Sequence, residues 1–139
     1  MKSFVTFRTD LFNHTEVGEN FINRCCFGED VARWLRARLC DLQVEVSDPI
    51  QEDYGWGIWV GSGRDKFWVW ASTFDPECSG PFAEWGIGIA YDAGLNLIAR
   101  FFHKPDRSLH RAVCSTIDEA LRAEQCITDV EWEDGEFHA

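Results

Sequence analysis

Apolar positions recur along this chain with two periods. In the middle the period is two: "GWGIWV" (55–60) and "KFWVWAS" (66–72) alternate, and "GSGRD" between them has turn chemistry. That combination predicts a β-hairpin. "EWGIGIAYD" (84–92) alternates in the same way, so a third strand is expected beside it. "SFVTFRT" (3–9) predicts a first strand and "CITDVEWED" (126–134) a last one. "QVEVSDP" (43–49) predicts a short strand that Pro49 ends.

Elsewhere the period is that of a helix. Across residues 28–42, Val31, Trp34, Leu35, Leu39 and Leu42 form one stripe, while Glu29, Asp30, Arg33, Arg36 and Arg38 take the other faces. The two acids fall in the first turn, where the helix dipole favours negative charge. A second long helix carries Leu109, Val113, Ile117 and Leu121, with Asp106 or Ser108 as its cap. A short helix is expected over 94–103. Residues 10–26 keep neither period and are expected to be a loop, long enough to suggest a function.

This order predicts an α+β fold: a twisted, mainly antiparallel sheet of about five to six strands, with two main helices packed on one face. The 139 residues are expected to form a single globular domain (1–139). Strand parity then divides the seven tryptophans. Trp56, Ile58 and Val60 share a face with Phe67, Val69 and Ala71, and Trp85, Ile87, Ile89 and Tyr91 continue it. This is the expected core side. The opposite face reads Gly57 and Trp59, then Trp68 and Trp70, then Gly86, Gly88 and Ala90. Large rings beside bare backbone predict indoles lying over glycines. The same three tryptophans, Trp59, Trp68 and Trp70, would make a ligand-binding floor if nothing else covers them.

Composition narrows the function. A net charge of −11 disfavours direct nucleic-acid binding and an anionic membrane surface. No apolar run approaches the roughly 20 residues of a membrane-spanning helix. "MKSFVTFRTDLF" has no apolar signal core or cleavage site, so a cytoplasmic location with reduced thiols is expected for the six cysteines. Cys40, Cys114 and Cys126 would then act as small packing residues.

Acids are unevenly spread. Between Cys40 and Gly63, and again from Phe67 to Ala99, there are carboxylates but no Lys or Arg. The stretch from Asp118 onward has eight acids against Arg122. Acid-rich loops beside aromatics suggest a surface for a basic protein partner. The expected contacts are Glu52, Asp53, Tyr54, Asp75, Glu77, Trp132, Glu133 and Asp134.

Chemistry has weaker support. Glu52 and Asp53 are adjacent, so on a strand they would point to opposite faces rather than work as a catalytic pair. Cys25 or Cys26, just before a helix N-terminus and beside Arg24, is the best nucleophile candidate, because a positive helix end lowers a thiol's pKa. His14, His103 and His110 have no recognisable base spacing. No Cys-x-x-Cys or His-x-x-x-His motif announces a metal, and no glycine-rich turn leads into a helix to hold a nucleotide. No metal and no cofactor are therefore expected.

The leading expectation is a non-catalytic, acidic inhibitor or immunity-type protein that covers a basic site on a toxin or nucleic-acid-processing enzyme. The alternative is a small-ligand domain or small enzyme using the Trp59, Trp68 and Trp70 face with Cys25, Cys26 or His14 nearby. A homodimer burying that face is a third possibility.

Overall fold

A computed structural model describes residues 2–14, 16–22, 26–63, 65–73, 83–92 and 106–134. The elements are β1 (Lys2–Thr9), α1 (Glu29–Leu39) with a 3-10 turn at Cys40–Leu42, β2 (Ile50–Glu52), β3 (Gly55–Ser62), β4 (Asp65–Thr73), β5 (Ala83–Asp92), α2 (Arg107–Ala123) and β6 (Thr128–Asp134). The helix expected at 94–103, the loop expected after Thr73 and the C-terminal tail after Asp134 lie outside the described residues.

The strands form one antiparallel sheet in the order β2-β3-β4-β5-β1-β6, with both helices on one face. The fold is therefore α+β, as the two periods imply. Parity along the central strands is as read from the sequence. Val5, Phe7, Trp56, Ile58, Val60, Phe67, Val69, Ala71, Trp85, Ile87 and Ile89 enter one core with Val31, Leu35 and Leu39 of α1. Val113, Ile117 and Leu121 of α2 complete it. His110 joins the buried stripe of α2, while Leu109 is only half-buried.

Local chemistry sets the element ends. Asp106 caps α2, its side chain accepting from Leu109 N at 3.1 Å. Gly28 precedes α1 with φ 132°, and a Cβ there would lie 2.9 Å from the carbonyl oxygen of Ala71. Only glycine combines that backbone with that close approach.

The strand expected over 43–49 needs correcting. That segment makes one isolated bridge, Val46 with Val60, flanked by bonds from Ser47 N to Trp59 O and from Gly61 N to Glu45 O. Regular pairing begins only after Pro49, at Ile50 opposite Gly57. Proline interrupts the ladder because it has no N–H, and an edge strand tolerates that loss.

The described parts of the 10–26 loop contain no helix or strand and lie against the start of α1. Asn13 N donates to Asp30 Oδ2 at 2.7 Å, and Asn20 Nδ2 to Glu29 Oε1 at 3.0 Å. Further along, Ile22 N donates to the Gln51 side chain. The loop thus secures α1 to the β2 edge on the helix side. Among the described residues, no helix is long and apolar enough to cross a membrane.

Candidate functional site

The sheet face away from the helices is organised by cross-strand rows. One row runs Ile50, Gly57, Trp70, Gly88, Phe4 and Glu133 across all six strands. Trp59 and Trp68 are direct partners in the neighbouring row, with ring centroids 4.9 Å apart. A Cβ added to Gly88 would overlap the Trp70 ring, and one added to Gly57 would overlap Trp68. The indoles therefore lie over glycines, as parity predicts.

Trp68 is the anchor of this face and is only 6% exposed. Its Nε1–H donates to the Tyr54 hydroxyl at 2.8 Å, and the Tyr54 ring meets Trp70 edge-on at 6.1 Å. Burial pushes the Tyr54 phenol pKa up and the charge of Glu52 adds to that; the hydrogen bond from Trp68 works the other way. Tyr54 and Ile50 are exposed, at 53% and 40%, and Trp59 and Trp70 are half-buried. Outside the buried anchor, an aromatic surface thus reaches the β2 edge. Glu52 stands on that edge, opposite Gly55 and two residues along β2 from Ile50, so it shares the outer face.

The other expected contacts do not gather here. Asp53 lies in the β2–β3 turn, exposed, and close enough to Cys26 to raise its pKa. Glu133 is exposed on the outer side of β6, five strand spacings from β2, or about 24 Å. Trp132 points to the helix side, where its Nε1–H donates to Asp118 Oδ1 at 2.8 Å. Asp134 ends β6. Asp75 and Glu77 lie outside the described residues.

Of the two expected nucleophiles, Cys26 has the wrong surroundings. Cys26 is part of the helix-side core, across the sheet from Trp59, Trp68 and Trp70. Its Sγ donates to Glu52 O at 3.0 Å. Burial raises its thiol pKa, against a lowering hydrogen bond with Gln51 and with a further raise from Asp53, so proximity to a helix start does not activate it. Cys25 and His103 are not among the described residues. His14 is buried beside Phe12, its Nδ1 3.2 Å from that residue's carbonyl oxygen. Cys26, Cys40 and Cys126 are free thiols. Cys40 and Cys126 are exposed, contrary to the packing role expected of them, because Cys40 opens the 3-10 turn and Cys126 lies in the turn between α2 and β6 rather than on an apolar stripe.

One pairing escaped the motif reading. His110 and Cys114 lie one turn apart on α2, with Sγ 3.8 Å from Nδ1 and 3.9 Å from Nε2. A thiol aimed at one ring nitrogen would be much farther from the other, so the sulfur sits against the imidazole without a directed proton path. The ring also lies 5.5 Å from Phe67, and burial lowers its pKa. This is packing, and only the i, i+4 spacing could have revealed it.

A groove of about 500 Å³ opens between the 20–22 segment, α1 and β2, lined among others by Glu29, Arg33 and Gln51. Its polar groups are already engaged. Burial alone would raise the Glu29 pKa, but hydrogen bonds from Asn20 and Arg33, and the Arg33 charge, bring it below the ordinary range. Among the described residues, no group of three or more His, Cys, Asp or Glu could hold a metal. Comparison with protein-family models, curated proteins and solved structures returns no match.

Proposed function

We propose that the chain is a non-catalytic, acidic protein of the inhibitor or immunity type, which binds a basic protein and covers its working site. One observation carries the reading: the Trp68–Tyr54 hydrogen bond ties the buried floor of the outer face to the acidic β2 edge, making one surface of them. Aromatic residues supply affinity at interfaces, and surrounding charge supplies approach rate and selectivity. Cys26 lends the enzyme reading no support, since it lies across the sheet from the tryptophan face with a raised thiol pKa. Among the described residues, the working partner set is Glu52 and Tyr54 with Trp59 and Trp70, and Asp53 borders it from the β2–β3 turn. Glu133 can contribute only if the partner spans the sheet.

The test is affinity capture from the native host with the wild type and an E52K/D53K variant, eluted by rising salt. One basic protein should be held by the wild type, released at moderate salt and lost by the variant. Equal retention by both, or a homodimer by light scattering with no other partner, would refute the reading.

A further inference from the structure

We propose that the outer edge of β6 docks an extended segment of a basic protein, with Lys or Arg alternating with apolar residues, as an added strand of the sheet. β6 lies at the opposite edge from Glu52, so this contact holds or fails independently of the one proposed above.

The first argument is that this edge is open and the other is not. β6 ends the sheet order and pairs only with β1 among the described strands. A bulge bends its start, where Asp129 takes φ 56°, so the usable stretch is residues 130–133. Among the described residues, nothing bonds to the outward backbone groups of that stretch. β2, by contrast, is three residues long and its backbone is engaged from the side. Cys26 Sγ donates to Glu52 O, and the Gln51 side chain bonds to Ile22 N and Cys26 O. An open edge is a template for another strand.

The second argument is charge. Glu131 and Glu133 are exposed on the outer side, opposite Thr6 and Phe4. Neither makes an ion pair among the described residues. The bases of β1 fall outside this pair in register, Arg8 opposite Thr128 and Lys2 opposite Asp134.

The same charges choose the occupant. A second copy pairing antiparallel through β6 would set acid against acid on the outer side, which opposes pairing. A strand with Lys or Arg at those positions gains from each opposite-charge pair. On the helix side the edge offers Val130 and Trp132, half-buried against the core, with Trp132 fixed by its bond to Asp118. Side chains alternate between faces along a strand, so apolar residues at the intervening positions extend that contact.

The probe is a labelled peptide, Thr-Lys-Val-Lys-Val-Lys-Thr, titrated by anisotropy. Two further versions carry N-methyl groups, one on the lysine amides and one on the valine amides. Charge is unchanged, but each version has a different strand edge blocked. One methylated peptide should therefore bind about tenfold more weakly than the other, the scale of two lost backbone hydrogen bonds. The wild type and E52K/D53K should bind the unmodified peptide alike, and E131K/E133K should lose it, with urea unfolding confirming that both variants are folded. Equal affinities for the two methylated peptides would mean charge attraction without strand pairing and would overturn the proposal. So would a loss in E52K/D53K equal to that in E131K/E133K. Whichever result is found, capture with E52K/D53K still decides the β2-edge contact by itself.

Discussion

Gly88 and Trp70 each make sense only through the other. A methyl on Gly88 has no room under the indole, so Gly88→Ala should cost about 2–3 kcal/mol through overpacking. In a Trp70→Ala background the same change should cost far less. Urea unfolding of the two single variants and the double variant measures that coupling, and additive losses would refute the stacking account. This complementarity was legible in the sequence because alternation along a strand is rigid and Gly57, Gly88, Trp68 and Trp70 all fall on the same face of the sheet. The side chain of Trp85 shows what parity leaves out. It is fully buried on the predicted face, yet its Nε1 has no hydrogen-bond partner among the described residues. Parity chooses a face but says nothing about where the polar end of a ring will lie.

At the level of elements, periodicity found both long helices and five of the six strands. It misplaced the strand at Pro49 because an edge segment can pause at a proline and resume, which an interior strand could not do. The cap of α2 was readable as Asp106 or Ser108, and Asp106 takes the role. Asp106→Ala should destabilise the protein by about 1 kcal/mol, read as a lower urea midpoint, while Ser108→Ala should change it little. The partner set was harder to read. Nothing in residues 52–54 and 132–134 reveals that their strands end at opposite edges, since that depends on β1 entering between β5 and β6. Strand order is a long-range fact, and local patterns do not encode it.

For the molecule as a whole, acidity and burial pull stability in different directions as pH changes. His110 is buried and its pKa is depressed below the ordinary 6.5. The unfolded chain therefore takes up a proton there before the folded one does. The stabilising contribution is full above about pH 6.5 and is lost as pH falls through the folded-state value. Asp30 has a raised pKa, chiefly through burial, with its hydrogen bonds to Asn13 and Val31 opposing. Its contribution is full below the ordinary 3.8 and is lost as pH rises through the folded-state value. As pH falls from 7.5 to 5.5 the histidine lowers stability, and the raised carboxyl of Asp30 can act only in the opposite direction. The urea midpoint should be lower at pH 5.5, and His110→Leu should narrow the difference; an unchanged gap would exclude this histidine as its source.

The place of β1 has a consequence for how the protein is made. Its neighbours are β5, beginning at Ala83, and β6, beginning at Thr128. On the ribosome, β1 has no neighbour in the sheet until about 75 further residues have followed it, and its second neighbour comes later still. Val5 and Phe7 must stay unpaired through that interval, while the β3–β4 hairpin can already close. The tryptophan hairpin is thus the natural seed of the sheet, and β1 is inserted later, into a slot between two strands made well after it.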